Sequence, residues 1–111
     1  MALHHAAPGE IMALRSNEDH AVTTSALVKN DAFEAIHLVV RAGHQLKDHA
    51  VRGALTLYGL EGVVLIDLED GKRRLSKGDW LYLQPNTRHA VRGVEDAGLL
   101  LTIHFDHATQ T

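Results

Sequence analysis

Residues 43–62 have the sequence GHQLKDHAVRGALTLYGLEG, and residues 78–89 have the sequence GDWLYLQPNTRH. Each segment starts at a glycine and contains histidine, His44 and His49 in the first and His89 in the second. Within them, Leu55 and Leu57 alternate with polar neighbours. Alternation with a period of two predicts strands that have one apolar face. Both segments therefore predict strands joined by turns.

Short apolar or alternating runs continue through most of the chain and are separated by glycine, asparagine and aspartate. Many short strands with frequent turns predict a β-sandwich or a β-barrel. Asp70-Gly71 predicts a tight hairpin, because both residues tolerate a positive φ. Residues 8–17 fit either a short helix or an added edge strand. The predicted strands are Ser25–Lys29, Glu34–Arg41, Ala54–Leu60, Val63–Leu68, Arg73–Leu75, Trp80–Leu83, His89–Arg92 and Leu99–Phe105.

The composition narrows the range of functions. A length of 111 residues predicts one domain. The net charge is −3 and the basic residues are scattered, so we expect no nucleic-acid partner. No apolar run approaches the roughly 18 residues of a membrane span, and the N-terminus has no basic region followed by an apolar core, so we expect a cytoplasmic protein with no membrane partner. The chain has no cysteine and nine histidines, which leaves histidines, carboxylates, hydroxyls or a bound ion as the candidate chemical groups.

The two quoted segments resemble the two sequence motifs of the cupin superfamily. The first motif is a glycine, five residues, His-x-His, three or four residues, a glutamate, six residues and a glycine. Gly43, His49 and Gly62 occupy the corresponding positions, and the second motif is similar to residues 78–89. Residues 63–77 form the short spacer that is typical of small single-domain, RmlC-like cupins.

The resemblance implies an all-β fold, the double-stranded β-helix or cupin jelly-roll barrel, in a single domain. We expect the barrel to span residues 25–107 and residues 108–111 to form a tail. Residues 1–24 would be an N-terminal strand or short helix placed at a dimer interface. A homodimer is also expected because Val63–Ile66 is apolar on both strand faces and needs cover on each side.

In the cupin family, two histidines of the first motif, its glutamate and the histidine of the second motif hold a divalent metal ion. Here the first and last positions are His49 and His89, but Val51 and Leu55 occupy the other two. Valine and leucine have no lone pair for a metal. A site for iron, manganese, nickel or zinc would therefore need a further donor, for which His37 and His104 are the weaker candidates.

These features predict a small-molecule-binding barrel with a pocket centred on the two histidines. Apolar walls suit a ligand that has an aliphatic or aromatic part. The first alternative is a metal-dependent enzyme of the dioxygenase or isomerase type, and the second is a structural or interaction barrel with a filled interior. The predicted pocket residues are His49, Val51, Leu55, Leu57, His89 and Val91.

Overall fold

A computed structural model describes residues 5–14 and 20–105. Within these ranges the regular structure consists of β-strands. The nine strands are β1 (Val22–Lys29), β2 (Phe33–Val40), β3 (Gln45–His49), β4 (Ala54–Glu61), β5 (Val63–Leu68), β6 (Gly71–Ser76), β7 (Trp80–Leu83), β8 (His89–Gly93) and β9 (Ala97–His104).

The strands form two antiparallel sheets that pack face to face. The five-stranded sheet has the order β1-β2-β9-β4-β7, and the four-stranded sheet has the order β3-β8-β5-β6. Both sheets contribute leucine, valine and isoleucine side chains to one core, among them Leu38 and Leu57 from the first sheet and Ile66 and Val91 from the second. The predicted all-β barrel of the double-stranded β-helix type is confirmed.

Each of the eight predicted strands overlaps a strand of the structure. Val63–Leu68 and Trp80–Leu83 have the predicted boundaries, and the boundaries of the other six differ by one to three residues. The first strand begins at Val22 rather than Ser25. The hairpin loop lies at Glu69 and Asp70, because Gly71 already pairs with Leu68 across the ladder. Strand β3 has no counterpart among the predicted strands, because Gln45–His49 is largely polar.

The N-terminal segment differs from both predicted alternatives over the residues that the structure describes. Residues 5–14 contain a turn at Pro8 and Gly9 but neither helix nor strand. The remaining positions of that prediction, 15–17, lie outside the described residues, as do the barrel end at 106–107 and the tail at 108–111. No helix in the described part of the chain is long and apolar enough to cross a membrane.

Strand β5 is apolar on both faces and is largely covered by its own chain. Val64 and Ile66 are fully buried in the core, and Val63, on the opposite face, is also buried. The chain itself therefore covers Val63, Val64 and Ile66, whereas Leu65 on the outer face is half-buried, and the expected homodimer stays a prediction.

Candidate functional site

A β-bulge in strand β3 directs His49 into the barrel. Leu46 pairs with Val91 and His49 pairs with His89, so two residues of β3, Lys47 and Asp48, stand opposite one residue of β8. In a regular strand, side chains three positions apart point to opposite faces. The extra residue reverses this parity, so that Leu46 and His49 share the inner face.

The imidazole rings of His49 and His89 are in contact inside the barrel. Their centroids are 4.3 Å apart and their planes are inclined by 54°. Each ring bonds through Nδ1 to a backbone carbonyl two residues earlier, His49 to Lys47 O at 2.9 Å and His89 to Thr87 O at 3.0 Å. A carbonyl only accepts, so Nδ1 carries the proton in both rings. In the neutral imidazoles, both Nε2 atoms therefore present a lone pair.

His89 is the buried member of this pair. Its side chain is fully buried, and its Nε2 atom has no hydrogen-bond partner. Burial is the largest effect and lowers the pKa of His89 below its usual 6.5; the hydrogen bond to the Thr87 carbonyl opposes it, the neighbouring His49 lowers the pKa further, and Asp48 has the smallest effect and raises it. His89 is therefore neutral at physiological pH and keeps an unused hydrogen-bond acceptor in the interior.

A cavity of about 360 Å³ opens beside His49. Its interior is mainly apolar, and the polar residues Thr24, Lys47 and Asp48 complete the lining. This volume lies at the lower end of the range for small-molecule sites, about 300–1,000 Å³. The barrel is thus open beside His49 and packed in its core. The apolar lining residues are Ile36, Leu46, Val51, Leu55, Leu101 and Ile103.

The six predicted pocket residues separate into two groups. His49, Val51 and Leu55 line the cavity. Leu57, His89 and Val91 do not; all three are completely buried. Leu57 and Val91 are core residues that do not line the cavity, and this corrects their assignment as pocket walls. His89 is placed next to the cavity only through its contact with His49.

Two polar interactions hold the rim of the cavity. Arg88 donates from Nε and Nη2 to one carboxylate oxygen of Asp48, at 3.1 and 2.6 Å. The backbone N–H of Asn86 donates to Val51 O at 2.7 Å. Asn86 has a φ of 64°, a left-handed conformation that asparagine tolerates better than most residues. The β7–β8 loop is thereby tied to the segment that carries Val51.

The structure brings neither His37 nor His104 to this site, which corrects both as candidate third donors. His37 lies between the inward-facing residues Ile36 and Leu38 of β2, so it projects from the outer face, where its Nε2 lies near Gly98. Its pKa is lowered by burial and partly restored by Glu61. His104 is exposed at the end of β9, and it follows the inward-facing Ile103.

The donor set does not fit a divalent metal site of the kind that the fold suggests. Three or four protein ligands are usual for a first-row metal, and His49 and His89 provide two nitrogens. Among residues 5–14 and 20–105, no group of three or more histidines, aspartates or glutamates could hold a metal ion. The unpaired Nε2 of His89 is therefore better explained as a hydrogen-bond acceptor in an apolar interior than as a metal ligand.

Comparison with solved structures decides the architecture. The chain is similar to the conserved protein SPY1581 of Streptococcus pyogenes, with a TM-score of 0.80 and 18% identity over 97% of this chain and 98% of that one. It is also similar to a cupin superfamily protein of Desulfitobacterium hafniense, with a TM-score of 0.78 and 20% identity over 96% and 100% of the two chains. The chain has the cupin fold.

The similar structures include an enzyme. The DMSP lyase DddQ of Ruegeria pomeroyi has a TM-score of 0.72 and 20% identity, over 85% of this chain and 53% of the lyase. No protein-family model and no curated protein matches the sequence. At these identities the cupin likeness establishes the fold, and the chemistry has to come from the site itself.

Several residues of the candidate site could not be identified from the sequence. The bulge residues Lys47 and Asp48 could not be placed because strand β3 carries no apolar alternation. Leu101 and Ile103 share one strand parity within the predicted last strand, and that parity was the available signal that they face inward. Thr24 lies just before the first predicted strand and gave no signal.

Proposed function

We propose that this chain is a small-molecule-binding cupin whose ligand occupies the cavity beside His49. The observation that carries the proposal is the 360 Å³ cavity itself, an apolar volume with one imidazole in its lining. Sites for small molecules combine apolar walls with a few polar groups that fix orientation. The cavity beside His49 has both elements.

His49 supplies the orienting polar group. Its Nδ1 atom is bonded to the Lys47 carbonyl, which fixes the ring orientation and leaves Nε2 as the acceptor. Where the ligand carries a hydroxyl or N–H group, that group would donate to this atom, and the apolar part of the ligand would pack on Leu55, Leu101 and Ile103. His89 supports the His49 ring from within the barrel at a centroid distance of 4.3 Å.

The second candidate function is metal-free acid–base catalysis, such as an isomerisation. It is favoured by the hydrogen bond between His49 and the Lys47 carbonyl, since general bases are commonly held in one tautomer by such a bond. His49 would take a proton from the bound ligand at Nε2. Ligand binding in the cavity is a requirement of both candidates, so it is tested first.

A cavity-filling substitution tests the proposal. Val51 is half-buried in the lining and lies outside the regular strands, so Val51→Trp should fill the volume with little effect on the sheets. Val94 is 42% exposed and lies outside the cavity, which makes Val94→Trp the matched control. Ligand-observed NMR with a library of small apolar fragments would identify compounds that bind the unmodified protein.

We expect the bound fragments to lose binding in Val51→Trp and to keep it in Val94→Trp. Fragments that bind all three proteins equally would place binding elsewhere and overturn the proposal. A fold check by circular dichroism on each variant separates lost binding from lost structure.

A further inference from the structure

The two bulge residues of β3 give the rim of the cavity an uneven charge. Lys47 and Asp48 both contribute to the lining, and both are exposed. The Asp48 carboxylate is already engaged by two hydrogen bonds from Arg88. Within the described part of the chain, no carboxylate lies at ion-pair distance from the Lys47 ammonium.

The lining residues Lys47 and Asp48 carry opposite formal charges, and Arg88, which lies outside the lining, pairs with Asp48. Asp48 and Arg88 neutralise each other, and Lys47 remains uncompensated. The whole chain has a net charge of −3, so this local positive charge is opposite in sign to that of the protein. A cation at the mouth of an apolar cavity selects a ligand that has an anionic end and an apolar body.

We infer that the ligand is an apolar monocarboxylate, with its carboxylate paired to Lys47 and its hydrocarbon part between Leu55 and Ile103. The inference rests on the proposed function, because it names the class of molecule that the same cavity holds. A second carboxylate would meet the apolar interior without a cation, which disfavours dicarboxylates. Lys47 is thus a specificity-determining residue.

Three probes of equal chain length separate the contribution of charge from that of apolar burial. Octanoate carries the anionic end, 1-octanol is its neutral counterpart, and octylammonium reverses the charge. Isothermal titration calorimetry at low salt would compare their affinities for the unmodified protein and for Lys47→Met, which keeps the apolar stem. The matched control is Lys77→Met, because Lys77 is exposed in the β6–β7 turn and does not line the cavity.

We expect octanoate to bind about 5-fold more tightly than 1-octanol, as an ion pair at a solvent-exposed rim provides. Lys47→Met should abolish this preference and Lys77→Met should retain it. Lys47→Glu should reverse it toward octylammonium. Raising the salt concentration should weaken the preference without removing binding, since salt screens exposed charges.

The outcomes distinguish the inference from the proposed function. Equal binding of octanoate and 1-octanol, lost in Val51→Trp, would overturn the carboxylate inference and leave the cavity as a binding site. A preference for octanoate that persists in Lys47→Met would also overturn it. If none of the three probes binds the unmodified protein, the carboxylate inference fails, whereas the proposed function stands or falls with the fragment experiment.

Discussion

Replacing His89 by leucine should make the ligand-free protein more stable, and more so at acidic pH. His89 is fully buried with an unpartnered Nε2, and an unsatisfied buried polar atom costs about 1–3 kcal/mol. Leucine has a comparable volume and removes this cost. The substitution also removes the hydrogen bond to Thr87 O, and this loss offsets about 1 kcal/mol of the gain in stability. The net gain near pH 7.5 is therefore about 0–2 kcal/mol.

The pH dependence follows from the lowered pKa of His89. Burial places the pKa of the folded state below the usual 6.5, so the unfolded chain binds the proton more readily. This histidine destabilises the fold as the pH falls below 6.5, by at most about 1.4 kcal/mol for each pH unit. This proton-linked destabilisation is absent above that pH, where the cost of the unpartnered Nε2 remains. The advantage of His89→Leu should thus grow by up to about 2 kcal/mol between pH 7.5 and pH 5.

Urea denaturation followed by far-UV circular dichroism at pH 7.5 and pH 5 measures both effects. His37 also has a pKa lowered by burial, so part of the pH dependence should remain in His89→Leu. His44→Leu is the matched control, because His44 is exposed in the β2–β3 turn. A change in unfolding free energy between pH 7.5 and pH 5 that is the same in His89→Leu as in the unmodified protein would refute the reasoning.

Three further perturbations have defined outcomes. Gly53→Ala should destabilise the fold by about 1–3 kcal/mol in urea denaturation, because the added Cβ would overlap the carbonyl oxygen of His104; an unchanged midpoint would contradict this close approach. Protein purified without a histidine tag should contain substoichiometric metal by elemental analysis, because His49 and His89 are the two donors of the site; one equivalent that is lost in the double alanine variant would contradict the two-donor description. The homodimer remains a prediction that light scattering can test, since Trp80 is 63% exposed and pairs with Tyr58 on an outer sheet face. Trp80→Ser should reduce a dimeric mass to the monomeric one. A monomeric mass for the unmodified protein would contradict the predicted homodimer.

Most of the strands could be predicted from the sequence, because alternation and turn residues are local signals. Ala54–Glu61 and Trp80–Leu83 alternate clearly between apolar and other side chains. Strand β3 could not be predicted in this way. Leu46 is its one aliphatic residue, and the bulge disrupts the period of two on which strand prediction depends.

The site was only partly accessible from the sequence for the same reason. Spacing and family resemblance pointed to His49 and His89, but strand parity alone could not place His49 inside, since the bulge reverses the parity. The depth of the cavity is a tertiary property. Leu55 and Leu57 lie on the same strand face and both belong to the core, but Leu55 also lines the cavity whereas Leu57 does not. No periodicity distinguishes these two leucines.

The contact between the two imidazoles is tested most directly by NMR with selectively labelled histidine. With assignments from His49→Gln and His89→Gln, the account predicts a nuclear Overhauser cross-peak between the ring protons of His49 and His89, as centroids 4.3 Å apart require. The absence of this cross-peak in the folded protein would contradict the placement of His49 on the inner face of the barrel, and with it the ligand site.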